Sequence, residues 1–108
     1  MKIKGENYNI YIKEYIPKKM NEIFIACHGF GGDKDSSAIE KLAQTMKTKN
    51  IGVIAFDFPA HGESEVDGEF LTLENCINDI GTIEEYIKKK YNPEKINIFA
   101  TSFGAYIT

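Results

Sequence analysis

The segment FATSFGAYIT, residues 99–108, places a serine between small residues directly after an apolar run. A strand that turns sharply into a helix at Ser102 would expose its hydroxyl where helix N–H groups favour developing negative charge. Such a turn needs small side chains two positions before and two positions after the serine, and Ala100 and Gly104 meet this requirement. Ser102 is therefore a candidate nucleophile, although its position also suits a helix N-cap.

A second loop, HGFGG, can supply contacts that such a nucleophile needs. The backbone N–H of Phe30 can face the serine loop, and with the N–H of Phe103 it would form a pair of donors for the oxyanion of an acyl-transfer intermediate. The same glycines begin a dinucleotide-binding pattern at Gly29, with Asp57 as the ribose-binding acid. Lys34 stands where that pattern requires its third glycine, so a dinucleotide site is disfavoured.

A third loop, DFPAHGES, contains an acid and a base, Asp57 and His61. They lie in one tight loop with Pro59 and Gly62, which are residues typical of turns, so a structural role is favoured over an acid and base pair. We expect Asp57 to cap local backbone amides and His61 to hydrogen-bond within the loop.

These loops follow apolar segments that alternate with helical patterns. Alternation of apolar and polar residues over residues 1–16 predicts an antiparallel hairpin at a sheet margin. The apolar runs IFIACH, GVIAFDF and INIFA predict three strands buried on both faces. Ser37 and Glu40 fit a capping box that begins one helix, and a second helix is predicted from about Leu73 to Lys90. The predicted buried stripe of that helix comprises Leu73, Cys76, Ile77, Ile80, Ile83 and Ile87.

The order of these elements predicts an α/β fold, with a mostly parallel sheet, an antiparallel N-terminal hairpin and flanking helices. In such sheets the loops at the carboxyl ends of the strands converge, so the three quoted loops are expected to form the site.

The chain has 108 residues, a length that permits one small domain. Its formal net charge is −3. Its charges are mixed in sign and do not form the positive face that phosphate binding needs, so nucleic acid is not an expected partner. No continuous apolar stretch has the length of a signal peptide or a membrane span, so we expect no membrane partner and a cytoplasmic location. Cys27 and Cys76 are expected to be buried free thiols, in preference to a disulfide or a metal site.

Taken together, the three loops resemble the α/β-hydrolase fold, and most of all the bacterial serine esterases of the cinnamoyl or feruloyl esterase type. The HGFGG segment, with His28 and Gly29, looks like the oxyanion loop of that family. The DFPAHGES segment, with Asp57, His61 and Gly62, looks like its D-x-P-G-H-G-x-S motif, and ATSFG looks like its nucleophile elbow.

The resemblance spans about residues 20–108 and departs from the family pattern at two positions. Ala100 replaces the first glycine of the G-x-S-x-G elbow, and Ala60 replaces the first glycine of the D-x-P-G-H-G-x-S motif. Alanine has the next smallest side chain, so the elbow is expected to close with slight crowding.

The resemblance implies a carboxylic ester hydrolase that acylates Ser102, acts on a small-molecule ester and uses neither a cofactor nor a metal ion. In this family the acid and the histidine of the triad follow the elbow in the chain. His28 and His61 precede Ser102 and match family positions that are not the catalytic base. The acid and the histidine of the triad are therefore expected to be missing from this chain.

Residues 1–108 are thus expected to form a single incomplete domain, the N-terminal part of an α/β-hydrolase fold cut after the nucleophile elbow. The alternative is a non-catalytic truncated fragment, or an interaction-only piece, of the same fold. The resemblance also implies another parallel strand beside the segment Ile96–Ala100. Without that strand the segment is an open edge through which copies of the chain can associate.

Overall fold

The computed structural model describes residues 1–29 and 31–100. The described residues form five strands, two α-helices and one short 3-10 helix. In chain order the elements are β1 (Lys2–Lys4), β2 (Asn9–Tyr15), β3 (Glu22–Cys27), α1 (Ser37–Thr48), β4 (Ile51–Phe56), the 3-10 helix (Gly68–Phe70), α2 (Leu73–Lys90) and β5 (Lys95–Ala100).

The described strands form one mixed sheet in the order β1-β2-β4-β3-β5. β1 and β2 form the predicted antiparallel hairpin, and β2 also pairs antiparallel with β4. β3 lies between β4 and β5 and pairs with both of them in parallel. The predicted α/β fold class, with a parallel centre and an antiparallel N-terminal hairpin, is confirmed.

The two helices cover opposite faces of this sheet. Because side chains alternate along a strand, β3 directs Ile23 and Ile25 into the apolar cluster that contains α2 and Ala26 into the one that contains α1. β4 divides in the same way, with Ile54 on the α2 side and Val53 on the α1 side. The central strands are therefore buried on both faces, as their continuous apolar runs predicted.

The predicted capping box of α1 is wrong by one residue. Ser36 is the N-cap, with an extended backbone, and its Oγ accepts the N–H of Ile39 at 3.3 Å. Ser37 is already the first helical residue, so its side chain is not placed to accept from the third residue of the helix. Glu40 lies in the first turn, where its charge suits the helix dipole.

α2 has the predicted bounds, but its buried stripe is narrower than predicted. Cys76, Ile80, Ile83 and Ile87 face the sheet, whereas Leu73 and Ile77 are about half exposed (50% and 49%). The two exposed residues lie on one flank of the stripe, where no described strand covers them. The helical spacing of apolar residues thus predicted correctly which face of α2 is buried, but predicted a wider buried face than the structure has.

β5 differs from the prediction of a strand buried on both faces. It pairs only with β3 among the described strands, and its residues are half-buried or exposed, with Ile98 at 44% exposure. Its position at the edge of the sheet explains the difference, because burial requires a neighbour as well as an apolar sequence. Association of copies of the chain through this edge stays a prediction.

The predicted state of the cysteines is confirmed for the described residues. Cys27 in β3 and Cys76 in α2 are free and fully buried. Burial raises the pKa of each thiol to about 12, so both remain protonated and pack as small apolar residues.

Asp79 is a buried carboxyl group that the apolar pattern of α2 did not predict. It is 4% exposed, and the hydroxyl of Tyr8 donates a hydrogen bond to its Oδ2 at 2.8 Å. Burial raises the pKa of Asp79 to about 7, although the Tyr8 hydrogen bond acts in the opposite direction. The folded protein therefore keeps this proton at pH values where the unfolded chain has lost it.

We predict that this carboxyl group lowers the stability of the fold as the pH rises from about 4 to about 7. Asp79→Asn keeps an acceptor oxygen for Tyr8 and removes the titration. The free energy of unfolding of the variant should match that of the wild type near pH 3 and exceed it by about 4 kcal/mol above pH 7. Urea unfolding of both proteins across this range measures the difference, and a difference independent of pH would contradict the prediction.

Candidate active site

The parallel register brings the carboxyl ends of three strands into line. Cys27, at the end of β3, pairs with Phe56 at the end of β4 and with Ala100 at the end of β5. We call residues 28–34 the glycine loop and residues 57–64 the aspartate loop. The glycine loop and the aspartate loop therefore begin side by side, level with the end of β5, at the edge where open α/β sheets bind their ligands.

Four of the predicted site residues lie outside the described residues: Phe30, Ser102, Phe103 and Gly104. Ala100, predicted as the small residue before the serine, is the last residue of β5. The main chain on both sides of Phe30, at Gly29 and Gly31, is described. The structure therefore places the surroundings of the predicted site rather than its nucleophile.

Hydrogen bonds of the main chain hold the glycine loop. Gly32 N–H donates to the carbonyl of Gly29 at 2.9 Å and closes a tight turn. Gly31 has a φ of +81°, in the left-handed region that residues with a side chain rarely adopt. Its N–H donates to Nε2 of His61 at 3.0 Å, so the glycine loop is tied directly to the aspartate loop.

His28, the first residue of the glycine loop, is buried, with an exposure of 1%. Its Nε2 accepts the N–H of Phe58 at 3.0 Å. The ring proton must then be on Nδ1, which donates to the carbonyl of Gly29 at 2.7 Å. Burial lowers the pKa of His28, which favours this neutral form.

His61 has the same tautomer as His28. Its Nε2 accepts the N–H of Gly31, so Nδ1 carries the proton and donates to the carbonyl of Pro59 at 2.9 Å. The two imidazole rings lie 4.7 Å apart between centroids. Because both nitrogens of each ring bind main-chain groups, this arrangement favours structural roles over that of a base for a serine hydroxyl.

Asp57 joins the two loops through its carboxylate. Its Oδ1 accepts the N–H of Lys34 at 2.8 Å, and its Oδ2 accepts the N–H of Glu63 at 2.9 Å. Its own N–H donates to the carbonyl of Tyr11 at 3.0 Å, which holds the residue at the end of the sheet. With its oxygens occupied by amides of both loops, Asp57 serves as a structural acceptor.

Lys34 is the main site residue that sequence reasoning missed. It is 3% exposed, and its Nζ lies 3.0 Å from Oδ2 of Asp57 and 3.2 Å from Oδ2 of Asp35, and also contacts the carboxylate of Glu63. Burial alone would lower the pKa of Lys34, but the hydrogen bonds to Glu63 and Asp57 hold it above its ordinary value. A lysine between two aspartates is typical of a solvated turn, so no local signal indicated its burial.

Two residues of the aspartate loop have a left-handed backbone. Gly62 has a φ of +53°, and a Cβ at this position would lie 2.6 Å from Oδ2 of Asp57. Ala60 has a φ of +65°, a backbone conformation that favours glycine. Glycine is the residue that the D-x-P-G-H-G-x-S motif has at this position. The loop thus requires glycine at position 62 and tolerates alanine at position 60 with some strain.

Within residues 1–29 and 31–100, no cluster of three or more His, Cys, Asp or Glu side chains is arranged to hold a metal ion. None of the helices in this part of the chain is both long enough and apolar enough to cross a membrane.

Comparison with known proteins assigns the family. The family model Hydrolase_4, described as serine aminopeptidase, S33, matches residues 18–108. The chain belongs to this family. Another similar protein is "Putative esterase/lipase 2" of Mycoplasma genitalium, which is 31% identical over 77 residues, or 70% of this chain and 27% of the relative. The chain therefore spans only about a quarter of the length of the curated relative that it matches.

Solved structures confirm that the chain has the fold of the N-terminal part of an α/β-hydrolase. Est1E from Butyrivibrio proteoclasticus, solved with ferulic acid bound, superposes with a TM-score of 0.90 at 23% identity, over 99% of this chain and 44% of Est1E. A cold-adapted esterase from an Arctic intertidal metagenomic library gives a TM-score of 0.89 at 18% identity, over 99% of this chain and 51% of the esterase. The predicted resemblance to hydrolases of the esterase type is confirmed.

We predict that Gly62→Ala destabilises the protein by about 3 kcal/mol or more. The new Cβ would overlap the buried carboxylate of Asp57, and residue 62 has a positive φ, which alanine adopts only with strain. Ala60→Gly is the matched control in the same loop. It relieves a left-handed alanine and should stabilise the chain by about 1 kcal/mol. Chemical denaturation of the three proteins measures both effects, and equal stabilities would show that the loop lacks this geometry.

Proposed function

We propose that this chain is the nucleophile-bearing part of a serine hydrolase that cleaves carboxylic esters through an acyl-enzyme intermediate. The alignment of Cys27, Phe56 and Ala100 is the observation that carries the proposal. The last residue of β5, Ala100, lies beside the end of β3, from which the glycine loop starts, and Ser102 follows Ala100 by two residues in the sequence. The family match extends over that segment, since it covers residues 18–108.

In the proposed reaction, Oγ of Ser102 attacks the carbonyl carbon of the ester while its proton passes to a histidine base. The bond to the alcohol oxygen then breaks as the base returns the proton to the leaving group. Water activated by the same base attacks the acyl-enzyme, which releases the acid and restores the serine. Because the triad order of this fold is serine, acid, histidine, the acid and the base are proposed to follow residue 108 in the whole protein.

The N–H groups of Phe30 and Phe103 are proposed to bind the oxyanion that forms during attack. Such donors must already point at the position where charge develops, and removing one typically costs about 10²- to 10³-fold in kcat. Support comes from Gly29 and Gly31, which flank Phe30 and are held by His28 and His61. The two buried histidines are thus proposed to set the shape of the oxyanion loop.

Esters are preferred to peptides in this proposal, although the family is named for an aminopeptidase. The curated relative carries an esterase/lipase name, the Arctic metagenomic protein is described as an esterase, and Est1E was solved with ferulic acid bound. A small-molecule ester fits these names, and the proposed chemistry needs no cofactor.

The prediction concerns the whole protein, extended beyond residue 108. Ser102→Ala should lower turnover of p-nitrophenyl acetate by at least about 10⁴-fold, because the acyl-enzyme can no longer form. Ser37→Ala, at an exposed position at the start of α1, should retain wild-type turnover. L-alanine p-nitroanilide, assayed in parallel, separates ester hydrolysis from aminopeptidase activity.

Equal ester turnover by the Ser102→Ala variant and the wild type would overturn the proposal, and cleavage of the anilide alone would reassign the substrate class. The 108-residue chain by itself is expected to react with a fluorophosphonate far more slowly than the extended protein, because the proposed base follows residue 108. Failure of both proteins to react would support a non-catalytic role.

A further inference from the structure

Lys34 is an unusually buried lysine for a residue in a glycine-rich surface loop. Its side chain is 4% exposed and that of its partner Asp57 is fully buried. Removing both charges from water is costly, and apolar residues often stabilise such a position equally well. The pair is therefore poorly explained by stability alone, which raises the question of what its geometry controls.

The two residues make contacts of two kinds at once. The main-chain N–H of Lys34 donates to Oδ1 of Asp57 at 2.8 Å, and its Nζ donates to Oδ2 of the same carboxylate at 3.0 Å. Both oxygens are thereby engaged by one residue, so the carboxylate cannot rotate without losing a bond. Because Asp57 directly follows β4, the end of the glycine loop is fixed relative to the sheet.

The middle of the glycine loop, at Gly31, depends on such bonds because it has no side chain to pack. A Cβ added at Gly31 would meet no atom of the described residues within 4 Å, so side-chain contacts with this part of the chain do not define its position. The loop is instead held at three described points: Gly29 by His28, Gly31 by His61, and Lys34 by Asp57. The predicted oxyanion donor, Phe30, lies between the first two of these points.

We propose that Lys34 is a positioning residue for catalysis, and that its ion pair with Asp57 holds the glycine loop where the Phe30 N–H meets the oxyanion. This inference rests on the proposed function. A hydrogen bond to the oxyanion is made fully only in the transition state, so displacement of the loop lowers kcat and leaves KM almost unchanged. Displacement of a catalytic group by about 1 Å costs about 10²-fold in rate.

The test uses the whole protein and the variant Lys34→Met, which keeps the length of the side chain and removes its charge. The expected result is a roughly 10- to 100-fold loss of kcat for p-nitrophenyl acetate, with KM within about twofold of the wild type. Affinity for a trifluoromethyl ketone, which forms a tetrahedral adduct with an oxyanion, should fall by the same factor as kcat. Titration with a fluorophosphonate to its end point corrects every rate for the fraction of active protein.

Lys13→Met is the matched control, since Lys13 pairs with Asp35 at the exposed side of the same cluster. It should retain wild-type kcat, KM and ketone affinity. A merely structural role of Lys34 would lower thermal stability or the active fraction and leave the corrected kcat unchanged. That outcome in Lys34→Met would overturn the inference.

Lys34→Arg decides the case if Lys34→Met fails to fold. It keeps the positive charge, but the planar guanidinium does not reproduce the position of the ammonium between Asp57 and Glu63. A folded Lys34→Arg variant should lose about tenfold in kcat at unchanged KM. Wild-type kcat in that variant would assign Lys34 to stability alone and reject the inference.

The two proposals fail in distinguishable ways. Retention of ester turnover by Ser102→Ala rejects the proposed function, whatever the Lys34 variants do. Loss of turnover in Ser102→Ala together with wild-type kcat in Lys34→Met rejects only the role of Lys34.

Discussion

The buried carboxylate of Asp57 connects the two described loops at the carboxyl edge of the sheet. It accepts main-chain N–H groups from Lys34 and Glu63 and lies against the Lys34 ammonium. A buried carboxylate is destabilising unless donors surround it, so both loops must keep the conformations that present those donors. The absence of a Cβ at Gly62 follows from this requirement, because a side chain there would occupy the space of the carboxylate.

The position of Asp57 depends in turn on the strand register. β3 pairs with β4 and β5 so that all three strands end at one level, which separates an apolar interior from a polar, glycine-rich edge. The interior is rigid because it is packed on both faces, whereas the loops are shaped by hydrogen bonds to His28, His61 and Asp57. A rigid sheet that carries hydrogen-bonded loops is an arrangement that suits the positioning of catalytic groups.

Local sequence patterns predicted the elements better than their burial. The period of apolar residues gave α2 its bounds, Leu73–Lys90, and the alternation near the N-terminus gave the β1 and β2 hairpin. The same patterns failed at Ile77 and Ile98, which are apolar and exposed. Burial depends on which element lies next to a residue in space, and periodicity within one element contains no information about that neighbour.

The sequence by itself determined the order of strands and helices, the two described loops at the carboxyl edge and the family to which the chain belongs. These properties are local, because they depend on spacing, turn residues and short motifs. Only the tertiary structure decided which atoms pair within the site: Gly31 with His61, Phe58 with His28, and Lys34 with Asp57. Those partners are 30, 30 and 23 residues apart, so their contacts exist only after the parallel strands have aligned the loops.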